Sequence, residues 1–300
     1  MGFSTILKAQ KALKLLRKGE SDQALTLYRE CWQEGLTDPR SILAYVLLLL
    51  RGGEYTEAKE VIVKSQKYPG MVGDTKQQLH IDYAVCCFRL GDIDKAVTTL
   101  EHRVKDGCGG LMYGTLGYLY VEKYDRTRKP SVEAFLAMEA AQAEKAAAEA
   151  DEAVQFPDVT ALLREQNGEP APEEEPAPAD PRSDEERLND WWQAQVDVAK
   201  KFLDEAIEYD DEDSVCLDNM AQFYYRVLGD KATAKEWFER AVKQKKDQID
   251  TLWFLSRYDV ENGDKAAAIE KLETIVDLRY SPLNYITKEA VEQELARLRA

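Results

Sequence analysis

Apolar positions along the chain form paired helical stripes separated by glycine. In "AKEWFERA", Ala234, Phe238 and Ala241 fall on one face of a helix, with charged residues on the other. Such a stripe is preceded, again and again, by a short turn phrase. "KGESDQAL" (18–25) returns as "GGEYTEAK" (52–59), "LGDIDKAV" (90–97), "LGDKATAK" (228–235) and "NGDKAAAI" (262–269). The glycines are Gly19, Gly53, Gly91, Gly229 and Gly263, and an alanine follows each by five positions: Ala24, Ala58, Ala96, Ala234 and Ala268. Glycine ends one helix in the left-handed conformation, and the adjacent Ser, Asp or Glu can cap the next. A small alanine lets the two helices approach. Each unit is therefore an antiparallel helix pair, too small to bury its own faces, and stacked pairs share one core.

This pattern resembles the tetratricopeptide repeat family. The first three glycines and the last two are separated by 34, 38 and 34 residues, and "YGTLGYLY" places Tyr113, Leu116, Gly117 and Tyr120 where that family's first helix has its large-Leu-Gly-Tyr pattern. Ala234, Phe238 and Ala241, and Ala199, Leu203 and Ala206, match its second helix. The resemblance implies an all-α, right-handed superhelical solenoid of about six antiparallel helix pairs. Units begin near Thr5, Pro39, Gln77, Gly110, Val215 and Ile249, and the terminal "TKEAVEQELARLRA" after Pro282 serves as a capping helix.

The fourth unit is interrupted. Its second helix, "AQVDVAKKFLDEAIEY", arrives about 70 residues late. The chain thus divides into residues 1–124, an insertion over 125–190, and 191–300, with the first and last forming one continuous solenoid. Within the insertion, 131–154 is Ala- and Glu-rich and is expected to be helical, with Ser131 as cap and Val132, Phe135, Leu136 and Met138 as an apolar anchor. Residues 167–186, rich in Pro and acid, are expected to be disordered.

One helix lacks an evident polar face: "SILAYVLLLL" runs apolar from Ile42 to Leu50. Nine residues are too few for a membrane span of about 20. The resemblance suggests a different cover. In that family the inner positions of the first helices line a concave groove that holds partner segments. Carried over, they are Leu43, Leu47 and Leu50 (with Arg40 and Arg51), Ile81, Val85 and Phe88, Leu111, Tyr118 and Val121, Asn219, Phe223 and Arg226, and Trp253 and Arg257. The Lys, Asn and Arg set with which some members grip a carboxylate is absent. The apolar wall is covered by a partner helix or peptide, by the insertion helix, or by neighbouring helices through tight curvature.

Charge and candidate chemistry narrow the reading. The 300 residues carry a formal net charge of -16 and no dense basic cluster, so no nucleic-acid partner is expected. Five cysteines show no CxxC spacing, and the N-terminus lacks an apolar leader; a cytoplasmic protein with reduced thiols and no membrane insertion is expected. "GCGG" (107–110) lacks the residues of a phosphate loop, and the acidic "EYDDED" lacks the glycine of a calcium loop. No catalytic, cofactor or metal residues are assigned. The leading expectation is a non-enzymatic scaffold that binds a protein or peptide partner in the groove. The alternative is a self-contained structural or regulatory module whose groove is closed by its own insertion helix.

Overall fold

The computed structural model describes residues 2–104, 107, 109–153 and 180–300, the side chains of 149–153 excepted. Among the described residues there are 14 α-helices and no strand. They group into two compact units: residues 1–126 with 199–300, and residues 127–198.

The first unit is a stack of helix pairs. α1 (Phe3–Arg17) pairs with α2 (Ser21–Gln33), α3 (Pro39–Arg51) with α4 (Tyr55–Ser65), and α5 (Gly73–Arg89) with α6 (Ile93–Val104). α7 (Gly110–Tyr124) packs against residues 199–209 of the long α9 (Asp184–Tyr209). α10 (Ser214–Gln222), prolonged by a π-helical turn Phe223–Leu228, pairs with α11 (Lys231–Gln244), and α12 (Ile249–Glu261) with α13 (Lys265–Val276). A loop over 277–287 leads to α14 (Lys288–Arg299), which lays Val291, Leu295 and Leu298 on the last pair.

The turn phrases act as their chemistry requires. All five glycines have positive φ, between 74° at Gly229 and 92° at Gly91. All five following alanines are fully buried between their paired helices. Asp92, Asp230 and Asp264 accept from the backbone N–H groups of Lys95, Thr233 and Ala267 at 3.0–3.1 Å. Glu20 and Glu54 stand in the same place and make no such bond; the longer glutamate is a poorer cap, and Glu54 instead receives Arg29.

A different glycine sets the closest helix approach. A Cβ on Gly117 would lie 3.0 Å from both Asn219 Nδ2 and Leu203 Cδ2. The bare backbone of α7 thus lets α9 and α10 both close on it. The core includes an N-terminal cluster built on Tyr28, Tyr45 and Leu49 and a C-terminal one built on Phe238, Leu272 and Ile275, with Leu116, Leu119 and Leu203 buried between α7 and α9. Ile42, Tyr45, Val46 and Leu49 of α3 have no exposed surface, which accounts for one side of its apolar run.

The second unit contains α8 (Val132–Ala153) and the first part of α9. Ser131 Oγ accepts from Ala134 N at 3.2 Å, so the expected cap is in place. Phe135 is buried, 5.5 Å from the ring of Trp191, with the Arg187 guanidinium over its face and Arg187 paired to Glu139. Of the stretch expected to be disordered, 167–179 lies outside the described residues. Its end is a correction: Asp184 to Glu186 open α9, because Ser183 and Glu186 cap each other across the first turn at 2.8–3.3 Å. No helix among the described residues is long and apolar enough to cross a membrane.

Candidate functional site: the inner groove and its strap

The inner helices α3, α5, α7, α10 and α12 present side chains toward the connector that follows α13. Residues 279–286, between α13 and α14, run as a strap along this wall. Leu283 packs on the N-terminal cluster. The Tyr285 ring lies 4.5 Å from that of Tyr118, and the Arg226 guanidinium sits 5.0 Å from its centre. Tyr285 donates its hydroxyl to Asn219 Oδ1 at 2.9 Å. Asp250 accepts from Asn284 Nδ2 at 2.8 Å and from the backbone N–H of Tyr285 at 2.9 Å. Tyr118 donates to the carbonyl of Asn284 at 3.4 Å.

The expected groove residues do not form one set. Tyr118, Asn219 and Arg226 are brought together around the strap. Leu43, Leu47, Leu50, Ile81 and Val85 form the wall on its N-terminal side: Leu47 is 39% exposed and Leu43 half-buried, whereas Leu50, Ile81 and Val85 are buried. Phe88 is half-buried, edge-on to Tyr118 at 5.5 Å. Phe223 is fully buried core. Trp253 and Arg257 stack on each other at 5.6 Å, with Trp253 against the C-terminal cluster, and do not join the strap contacts.

Two unfilled spaces flank the strap. One, of about 290 Å³, lies among Leu47, Leu50, Ile81, Val85, Arg51 and Leu283. The other, of about 700 Å³, lies among Val215, Asp218, Asp250, Lys245, Arg279 and Tyr285. Leu111, Thr115, Ser281 and Leu283 border both. Leu111 and Val215, at the rim, are 57% and 47% exposed.

The electrostatics of this wall are unusual for a surface. Burial pushes Asp250 up to about 7, against the pull of its hydrogen bonds from Asn284 and Tyr285 and the charge of Arg226. Asp218, which accepts from Thr251 Oγ1 at 2.6 Å, is raised well above the carboxylate range by burial and by Asp250. Burial also lifts Asp82 to about 6. Arg226 resists burial because Glu122 and Asp125, at 2.6 and 2.8 Å, hold its charge. Among the described residues, no three His, Cys, Asp or Glu side chains cluster as metal ligands.

The residues that sequence reading missed are Asp218, Asp250, Asn284 and Tyr285. One signal pointed to them. "RYSPLNYI" carries four large apolar or aromatic residues in a connector, and exposed connectors are usually polar.

Residues 77–102 match a family model described as tetratricopeptide repeat. No curated protein matches in sequence. Among solved structures, PilW, a type IV pilus biogenesis factor, is similar with a TM-score of 0.54 and 10% identity, over 100% of both chains. A monomeric mutant of IFIT1 solved with Gppp-AAAA has a TM-score of 0.53 and 14% identity; the match covers 92% of this chain and 49% of that one, so this chain spans about half its length. PilF of Pseudomonas aeruginosa has a TM-score of 0.47 and 11% identity over 90% and 89% of the two chains. The chain carries the tetratricopeptide repeat at residues 77–102 and has as its fold the stacked helix-pair solenoid of tetratricopeptide repeat proteins.

Proposed function

We propose that the protein is a non-enzymatic scaffold that receives a peptide or helix of a partner protein in its inner groove. One observation carries the reading: a non-helical segment of the chain itself, residues 279–286, is gripped there by side chains of three inner helices. Spaces of about 290 and 700 Å³ beside it have the size of ligand sites. The ligand of IFIT1 does not carry over, because a net charge of -16 repels phosphate. Buried thiols at Cys31, Cys86, Cys87 and Cys216 fit a reducing, cytoplasmic setting.

The second reading, a module closed by its own chain, is favoured by the same strap. The apolar start of α8 has Trp191 as its partner; the internal segment against the wall is 279–286.

The test uses rim residues whose charge is tolerated by the fold. Leu47→Asp with Leu111→Asp places two carboxylates at the mouth of the groove, at exposed positions. Partners captured by the wild type and identified by mass spectrometry are lost from the double variant, while far-UV circular dichroism stays unchanged. Equal capture by a folded double variant refutes the groove as the binding surface.

A further inference from the structure

We infer that the strap 279–286 is a tethered ligand mimic, which a partner must displace, and that the partner segment has its chemistry: a turn carrying a leucine-like residue, then a side-chain amide, then an aromatic ring with a hydroxyl. The inference rests on the scaffold reading and specifies the ligand and its regulation.

The geometry is that of peptide recognition rather than of core packing. Across the wall, the polar contacts to the strap come from the helix side chains Tyr118, Asn219 and Asp250, and at its root Tyr280 donates to the Ile275 carbonyl at 3.3 Å. The three helix side chains reach both the strap's backbone and its side chains. Asp250 reads Asn284 through one oxygen and the next backbone N–H through the other. Tyr285 is held between the Tyr118 ring and the Arg226 cation, and its hydroxyl ends on Asn219. Asn219 is itself positioned by donating to the carbonyl of Gly114 at 2.8 Å, so the acceptor is fixed before the ring arrives.

The strap fills its seat incompletely. Clefts of about 700 and about 290 Å³ open on its two sides, and Leu111 is left mostly exposed between them. A longer segment would follow the same path and fill both.

The strap is also held by little of its own. Its internal bonds are those of one turn: Asn284 N to Ser281 O, Ser281 N to Asn284 Oδ1, and Leu283 N to Ser281 Oγ. Helices α13 and α14 anchor its two ends on the C-terminal cluster, where Ile286 is buried and Tyr280 and Tyr285 pack, so release of the strap opens those contacts while Leu272, Ile275, Val291, Leu295 and Leu298 keep the helices in place. A closed strap lowers apparent affinity by the fraction of open molecules; it sets a threshold for partner entry.

The test uses the full chain and a fluorescein-labelled peptide RYSPLNYI, residues 279–286, with a scrambled peptide as control. The unlatched variant Asn284→Ala/Tyr285→Ala binds the peptide by anisotropy roughly tenfold or more tighter than wild type does, and adding Asn219→Ala abolishes the gain. Hydrogen exchange on the wild type is the second measurement: the amides of Leu283 to Ile286 exchange faster than those of α12. Equal or absent peptide binding by a helical unlatched variant overturns the inference. So does loss of helicity in that variant, or strap amides that open only with global unfolding, since either makes the strap part of the core. A strap that fails these tests while Leu47→Asp/Leu111→Asp still loses its partners leaves the scaffold reading standing and removes only the mimic.

Discussion

Replacing Gly117 by alanine tests whether the close contact of α7 with α9 and α10 sets the groove. The added methyl would sit 3.0 Å from Leu203 Cδ2 and 3.0 Å from Asn219 Nδ2, a few tenths of an ångström inside comfortable contact. Leu203 is buried and cannot swing out. Asn219 is held by hydrogen bonds to Gly114 and from Tyr285. Both neighbours are therefore fixed, and forcing them apart costs about 1–3 kcal/mol as overpacking. Alanine recovers about 1 kcal/mol of helix propensity. The net is a loss of up to about 2 kcal/mol. Gly114 lies one turn earlier and supplies the control. Its Cβ would meet Val215 Cγ1 at 3.1 Å, but Val215 is 47% exposed and can turn away, so Gly114→Ala is neutral or stabilising by up to about 1 kcal/mol. Urea unfolding followed at 222 nm compares the two midpoints. Hydrogen exchange at 284–286 adds a local readout, because displacing Asn219 loosens Tyr285. Gly117→Ala more stable than wild type, or the two variants equally stable, refutes the argument.

Two further predictions concern charge and the insertion. Asp250 is raised in the folded state to about 7 by burial, so it binds a proton that the unfolded chain has released. Its contribution to stability is complete below about pH 4 and is lost as pH rises toward 7. Asp250→Asn removes that loss, so the stability difference between variant and wild type moves in the variant's favour between pH 4 and 7 in urea titrations. A difference that does not change with pH shows that Asp250 titrates normally. Phe135→Ala strips α8 of its anchor on Trp191; buried Phe→Ala changes cost about 3–5 kcal/mol. The expected outcome is a red shift in tryptophan emission and easier proteolysis within 132–148, and an unchanged spectrum refutes the docking.

How much of this was legible in the sequence follows from which interactions are local. The helix pairs, their turns and the buried alanines depend on residues a few positions apart, so the recurrence of Gly and Ala marked them. The interrupted fourth unit was readable for the same reason, since Tyr113 and Tyr120 await the aromatic Phe202 that arrives late. Of the inner-face positions read from the repeat, Leu47 borders the smaller space and Tyr118 touches the strap. What lies against them was not legible. Tyr285 meets Tyr118 across 167 residues of sequence and Asn219 across 66, and no periodicity connects a loop with the helices of another repeat. The start of α9 was missed because Ser183 and Glu186 form a capping box inside an acidic, proline-bordered run, where composition outweighed a four-residue signal.

The boundary between groove and core runs through α3, and two leucines one turn apart locate it. Leu47 is 39% exposed and Leu50 5%, yet both border the smaller space beside the strap and belong to the same inner wall. A carboxylate at Leu47 keeps its water, and its cost is the loss of a partly buried leucine, about 1 kcal/mol. A carboxylate at Leu50 is packed by Ile81, Val85 and Leu283, with Arg51 and Arg279 lining the same space. It loses the transfer energy of a whole buried leucine, about 1.5–3 kcal/mol, which the two guanidinium groups do not return. Urea midpoints compare the two variants, and Leu50→Asp shows the larger loss. Similar losses at the two positions would mean that the wall is core throughout, and that the strap closes a seam in the fold rather than occupying a binding site.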